Sequence, residues 1–254
     1  MHQVQVALEV AGVSKSFGGV QAVRDASFSV MRGERHALIG PNGAGKTTLF
    51  NLVAGELRAD TGTVVLFGTD VTRLSVARRA ALGLGRTYQI SELFGGLTVG
   101  ENLALAAERG RGKAFRLFAS RSADRELRAE VESVAEDVRL GENLDRLVSE
   151  LSHGEQRQLE LGMVLAMRSS LIMLDEPAAG LSPAERLILA DLIGSLPADR
   201  TVVLIEHDMD LVLRLADTIT VLDRGHPIAA GTPEEVRADP TVQAVYLGSA
   251  VHHD

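Results

Sequence analysis

The chain has 254 residues, 45% of them apolar, no cysteine, and a net charge of −8 from 26 basic and 34 acidic side chains. Such a length supports one or two domains with a substantial core, and without cysteine there is neither a disulfide framework nor a thiolate metal site, which fits the cytosol. The acidic balance argues against nucleic acid as a main partner, because phosphate-backbone affinity comes from clustered Lys and Arg; no apolar run approaches the ~18 residues of a membrane-spanning helix, and MHQVQVALEV lacks the basic start and apolar stretch of a secretory signal.

Val4, Val6, Leu8 and Val10 alternate with polar or small residues, predicting a half-buried strand, and Ala26 to Val30 repeats the pattern more weakly. Ala37, Leu38 and Ile39 predict a short buried strand that runs into Gly40, and Thr47 to Ala54 a helix stopped by Gly55. Between strand and helix, Gly40, Pro41, Asn42, Gly43, Ala44, Gly45, Lys46 and Thr47 spell G-x-x-x-x-G-K-T. Glycines in such a loop let backbone N–H groups turn inward around phosphates; a Lys supplies a mobile cation and a hydroxyl supplies an oxygen for Mg²⁺. Lys46 and the amides from Gly43 to Thr48 are thus the expected holders of β- and γ-phosphates, and Thr47 the expected metal ligand.

From about Gln89 to Glu160 the pattern turns helical. Thr98 and Glu101 form a capping box before Leu103 and Leu105, and Leu127, Val131, Val134 and Val138 fall on one face of a charged helix. This stretch reads as a helical insertion in a sheet-based domain. Arg109 to Lys113, with Arg116 and Arg121, reads as a solvated linker, lipid headgroups or a partner being the competing reading. Ser152 and Glu155 form a second capping box, before a helix carrying Leu159, Met163 and Ala166. Leu171 to Leu174, Val202 to Ile205 and Ile219 to Leu222 predict buried strands of a largely parallel sheet. Asp175 ends the first of them, placed to orient a metal or its waters, and Glu176 follows, where a carboxylate near bound phosphate can take a proton from an attacking water. Thr232 and Pro233 open a C-terminal helix.

The order of phosphate loop, Gln89 in GRTYQI, LSHGEQ at Leu151 to Gln156, LIMLDEP at Leu171 to Pro177 and then His207 resembles the nucleotide-binding subunit of ATP-binding cassette (ABC) transporters over essentially the whole chain. The resemblance implies an α/β P-loop NTPase cassette with a mostly parallel core sheet, an antiparallel β edge subdomain and a helical insertion. It places one ABC ATPase domain over 1–254, with a RecA-like core and β subdomain at about 1–88 and 161–235, a helical subdomain at about 89–160 and a tail at about 236–254. ATP and Mg²⁺ are the implied cofactors. Glu176 and His207 become the catalytic pair, His207 as a switch at the γ-phosphate, and Thr47, Gln89 and Asp175 become the metal ligands. Phe17, in SKSFGG, falls where the family stacks an aromatic on adenine. Ser152, Gly154 and Glu155 would meet nucleotide held by the opposite subunit of a dimer. His153, Glu155 and Ser182 depart from the family's commoner Gly, Gln and Asp.

GRTYQ, ELFGGLTVGENL, LDEPAAGLSP, IEHDMDLV and AVYLG are most similar to ATPases of branched-chain amino-acid importers. The implied protein is an ATP-hydrolysing subunit on the cytoplasmic face of the cell membrane, energising import of branched-chain amino acids or a related small polar solute. Its implied partners are a second ATPase subunit, identical or paralogous, two transmembrane permease subunits and, indirectly, an extracytoplasmic solute-binding protein. A lipopolysaccharide-export-type ABC ATPase is a neighbouring reading. A soluble ABC ATPase acting on nucleic acid or ribosomes is a competing class, against which the lack of tandem cassettes and long coiled coils weighs. A module that binds ATP without turnover is another, against which Glu176 and His207 weigh. Tyr88, Ile90, Leu93 and Phe94 cluster around Gln89 and predict that Gln89 to Leu103 docks cytoplasmic helices of a membrane subunit.

Overall fold

The computed structural model describes residues 5–87, 93–111 and 121–250. In chain order they form β1 (Val6–Phe17), β2 (Val20–Met31), β3 (Arg35–Ile39), α1 (Lys46–Ala54), β4 (Thr61–Leu66), β5 (Thr69–Asp70), α2 (Val76–Ala81) and β6 (Leu84–Arg86). Three helices follow, α3 (Val99–Gly110), α4 (Arg121–Asp137) and α5 (His153–Ala166). The chain then returns to alternation with β7 (Leu171–Asp175), α6 (Pro183–Gly194), β8 (Thr201–Ile205), α7 (Met209–Leu215), β9 (Thr218–Asp223), β10 (His226–Gly231), α8 (Pro233–Ala238) and α9 (Pro240–Ala250).

The central sheet has the order β10-β9-β3-β8-β7-β6 and is parallel except for β10, which pairs antiparallel with β9. A separate antiparallel sheet has the order β2-β1-β4-β5. Both faces of the sheet are covered at its centre, so β7 and β8 are buried along their whole length rather than at alternate residues. Leu38, Met173, Val203 and Ile205 point into a layer shared with α1 and the antiparallel sheet, where Leu8, Val10, Leu49 and Phe50 are buried. Their neighbours Ala37, Ile39, Ile172, Leu174 and Leu204 point the other way, onto α5, α6 and α7 through Leu159, Leu189 and Val212. The two-residue period of a strand divides one sheet between two cores.

The first strand outruns its alternating pattern: β1 continues through polar Ser14, Lys15 and Ser16 because Ser14 pairs with Thr61 of β4 and Lys15 and Ser16 pair with Val23 and Gln21 of β2. Helix α1 opens one residue earlier than expected and ends at Gly55, whose left-handed backbone (φ 86°) has no room for a side chain beside the Arg79 guanidinium. Arg79 is 1% exposed and donates from Nη1 to the carbonyls of Leu52 (2.8 Å) and Val53 (2.6 Å). A cation therefore closes the negative end of the helix that follows the phosphate loop.

Capping boxes start α3, α5, α6 and α8 at Thr98/Glu101, Ser152/Glu155, Ser182/Glu185 and Thr232/Glu235. Burial alone would raise the Glu155 carboxyl, but the Ser152 N–H and the Arg146 guanidinium outweigh it and hold it below the ordinary value. A carboxyl depressed on folding adds stability above its unfolded pKa of about 4.3 and loses that contribution as pH falls through the lower folded value. The Tm gap between wild type and Glu155→Gln should thus be widest above about pH 5 and close below about pH 4. Thermal melts followed by circular dichroism from pH 7 to 3 check this, and a gap of constant size would refute it.

Candidate nucleotide site

The phosphate loop leaves β3 at Gly40 and enters α1 at Lys46. A Cβ at Gly40 (φ 148°) would stand 2.1 Å from the Leu222 carbonyl oxygen, and one at Gly45 (φ 95°) 2.3 Å from that of Ala22. Glycine is required at both positions by backbone conformation and by the close approach of neighbouring strands. No side chain caps the N-terminus of α1, so its first N–H groups are presented to an anion together with the positive end of the helix dipole. Lys46 is 7% exposed and its Nζ donates to the carbonyls of Gly40 (2.7 Å) and Pro41 (3.0 Å). Burial lowers its pKa, and the nearby Glu176 and Asp175 oppose that shift.

A cavity of about 510 Å³ opens over the loop, lined by Asn42 to Thr48 and by Glu176. Val20, Gln21, Ala22 and Arg24 supply another wall, and Arg224 a further one. The two arginines were not foreseen from sequence. They arrive because the Gly225 N–H donates to the Ala44 carbonyl (2.9 Å) while the Arg24 N–H donates to that of Gly225 (2.7 Å), clasping the loop between segments 180 or more residues apart. Phe17 does not line this cavity; it ends β1, is 48% exposed, and has the Lys15 ammonium 5.5 Å from its ring. The C-terminal segment also reaches the loop: the Tyr246 hydroxyl is buried beside the Gly40 backbone, and burial pushes its pKa up to about 12.

Asp175 and Glu176 stand at the carboxyl end of β7. Asp175 is 3% exposed and accepts from Arg86 Nη2 (3.0 Å); burial raises its carboxyl, and the Arg86 charge draws it back down. Arg86 also donates to Asn51 Oδ1 (2.7 Å), pairs with Glu56 (2.9 Å) and lies over the Phe50 ring, tying α1 to β6 and β7. Glu176 adopts φ 47°, a left-handed conformation uncommon for a side chain with a Cβ, and its N–H donates to the Ile205 carbonyl (3.0 Å) at the end of β8. His207 lies two residues beyond that carbonyl, its side chain 62% exposed. Glu206, between them, is fully buried and was not foreseen.

The LSHGEQ segment forms the start of α5, with the capping box intact. The Gly154 N–H donates to Glu185 Oε1 (3.2 Å), and a Cβ there would sit 2.5 Å from that oxygen. His153 packs its ring against Gly180, in the loop after Glu176. Ser182 caps α6. Within this one chain Ser152, Gly154 and Glu155 contribute nothing to the phosphate-loop cavity, whereas Asn42 to Thr48 and Glu176 meet there. Gln89, Tyr88 and Ile90 lie outside the described residues. Leu93 packs against the core and Phe94 is 54% exposed; both line a mainly apolar groove of about 380 Å³ with Leu105, Met163 and Met167.

Residues 23–179 match the ABC transporter family, and 226–252 match the family described as branched-chain amino acid ATP-binding cassette transporter. The chain is 40% identical to the high-affinity branched-chain amino acid transport ATP-binding protein BraF of Pseudomonas aeruginosa, covering 96% of this chain and 98% of that one. It is 38% identical to the corresponding protein LivG of Escherichia coli, covering 97% and 99%. The solved ADP conformation of MJ1267, an ATP-binding cassette of an ABC transporter, superposes with a TM-score of 0.85 at 31% identity, covering 96% and 99%. A glycine-fixed loop at a bare helix N-terminus, two acids at the adjoining strand end and near full-length likeness to ATP-binding transport proteins agree, and the chain belongs to the ABC transporter family as one of its ATPases.

Proposed function

We propose that this ATPase energises an importer for branched-chain amino acids or a related small polar solute, as a peripheral subunit at the cytoplasmic face of the cell membrane. The match of residues 226–252 and the names of the BraF and LivG relatives support this solute class. Among the described residues no helix is long and apolar enough to cross a membrane, so translocation falls to two transmembrane permease subunits, supplied with solute by an extracytoplasmic binding protein. A second ATPase subunit, identical or paralogous, completes the site by bringing its own Ser152, Gly154 and Glu155 or their equivalents to the bound ATP.

The observation that carries this reading is the placement of Glu176 on the wall of the cavity above Lys46 and Thr47. Gly40 to Thr48 cradle the phosphates, Lys46 turning from its carbonyl partners to the phosphate oxygens. Glu176 accepts the proton of the attacking water, and His207 orients that water against the γ-phosphate. Thr47 on the cavity wall and Asp175 beyond it would offer hard oxygen donors, which fit Mg²⁺ rather than a softer metal; Gln89 is the further ligand proposed. When bound, the ion neutralises charge on the phosphate oxygens. Phe17 remains the proposed adenine contact; it stands outside the cavity, paired across the turn with Val20, which is 69% exposed and lines the wall.

The membrane subunits dock over Leu93 and Phe94. Because Leu93 is packed inward and Phe94 faces out, Phe94→Asp tests the surface without disturbing the core. Loss of one buried aromatic anchor costs about 2 kcal/mol, roughly 30-fold in affinity. The variant should lose copurifying membrane subunits and uptake of leucine, isoleucine and valine, while the isolated chain binds ATP normally. Unchanged assembly and uptake would remove this surface from consideration, and uptake of urea in place of the amino acids would redirect the solute class.

A further inference from the structure

Among the described residues Glu206 is the one acid whose side chain is completely shielded from solvent. It follows β8, beside the loop that follows β7, and its two oxygens are divided between the two. Oε1 accepts the N–H of Ala178 at 3.0 Å, two residues beyond Glu176. Oε2 accepts the N–H of His207 at 3.1 Å and stands 3.8 Å from that residue's Nδ1. The backbone reinforces the same junction: Asp175 is in register with Ile205, the Glu176 N–H donates to the Ile205 carbonyl, and the Ala179 N–H closes a turn onto the Glu176 carbonyl at 3.0 Å.

The junction contains a conformational cost. Glu176 sits at φ 47°, and a left-handed backbone at a residue with a Cβ persists only where its surroundings over-determine it. The turn bond from Ala179 and the carboxyl bond to Ala178 fix the residues just after Glu176, as the Ile205 carbonyl fixes its own N–H. The exposed His207 ring has no comparable packing, so its placement depends on the backbone N–H that Glu206 holds. Both donors are main-chain N–H groups, which need an acceptor at each end. A carboxyl group offers two acceptor oxygens, whereas a carboxamide offers one and turns an NH₂ toward the other donor.

We propose that Glu206 is a positioning residue for ATP hydrolysis, a buried clamp that sets Glu176 and His207 in one fixed relation to the attacking water. This rests on the assignment of Glu176 as the base and His207 as the switch. Glu206 touches neither nucleotide nor water; it acts through the two residues that do. It leaves the phosphate loop untouched, so ATP binding and hydrolysis respond to it differently.

The test compares Glu206→Gln with wild type for ATP affinity, kcat and KM, and repeats the substitution in a Glu176→Gln background. A misplacement of about 1 Å in a reacting group costs on the order of 100-fold in rate, so kcat should fall about 10- to 100-fold while ATP affinity stays within about threefold. In the Glu176→Gln background the further loss should shrink to less than about threefold, because residues acting through one another are not additive. Glu206→Asp, which keeps both acceptors on a shorter arm, should recover part of kcat; should Gln fail to fold at this buried position, Asp carries the same kinetic test. Unchanged kcat in Glu206→Gln, equal loss of affinity and kcat, or fully additive losses would overturn the clamp. Full hydrolysis in Glu176→Gln alone would instead overturn the assignment of the base on which it rests.

Discussion

Glu176→Gln should keep ATP bound while hydrolysis drops by about 100-fold or more, the usual contribution of a positioned general base. The amide matches the carboxylate in shape, and the N–H bond to the Ile205 carbonyl belongs to the main chain, so the left-handed turn survives the substitution. What is lost is the ability to take a proton. With binding intact and turnover stopped, two subunits should remain closed on ATP, and gel filtration with MgATP should show a dimer that the wild type forms only transiently. Phosphate release measured on the same sample separates the two effects. Persistent hydrolysis together with a monomeric elution profile would dismiss both the base and the shared site.

Lys46→Ala removes the other half of the chemistry. Charge-assisted hydrogen bonds are worth about 1.5 to 3 kcal/mol each, so loss of two phosphate contacts predicts a fall in ATP affinity of about 100-fold or more. Alanine suits the first position of α1, and the substitution leaves the glycines that shape the loop in place, although it removes the ammonium from the Gly40 and Pro41 carbonyls. The variant should therefore fold and fail to bind, as fluorescent-nucleotide titration would reveal. Mixing it with Ser152→Ala makes a sharper test. In the mixed dimer one composite site combines both defects and the other combines an intact Lys46 with an intact Ser152, so activity should return to part of the wild-type level. Two inactive variants that stay inactive when mixed would show that Ser152 does not act across a dimer.

The phosphate loop was legible because its constraints are local: glycines at fixed spacing, a Lys and a hydroxyl, between an apolar run and a helix start. Asp175 and Glu176 were legible for a similar reason, standing at the end of an unbroken apolar strand. The missed elements are those whose structure depends on neighbours. His226–Gly231 contains a proline and three small residues, poor material for a strand, and pairs only because it lies at an edge against β9. Leu84–Arg86 is three residues long, and its Gly85 is needed because a Cβ would stand 2.3 Å from the Ser169 hydroxyl. Glu206 looks like any acid that follows an apolar run. Only the convergence of two loops shows that it is buried, just as only the clasp through Gly225 brings Arg24 and Arg224 to the phosphate loop.

The position of β3 has a consequence for the order in which the protein is made. The strand that launches the phosphate loop is complete at Ile39, yet its two neighbours in the sheet are β8 and β9, ending at Ile205 and Asp223. A ribosome adds about 5 to 20 residues per second, so the nucleotide motif waits many seconds for the strands that will hold it. Meanwhile the helical segment can form from contacts near in sequence, which close sooner than distant ones. A nascent chain halted before β9 has emerged should bear every residue of the phosphate loop and still be unable to retain ATP.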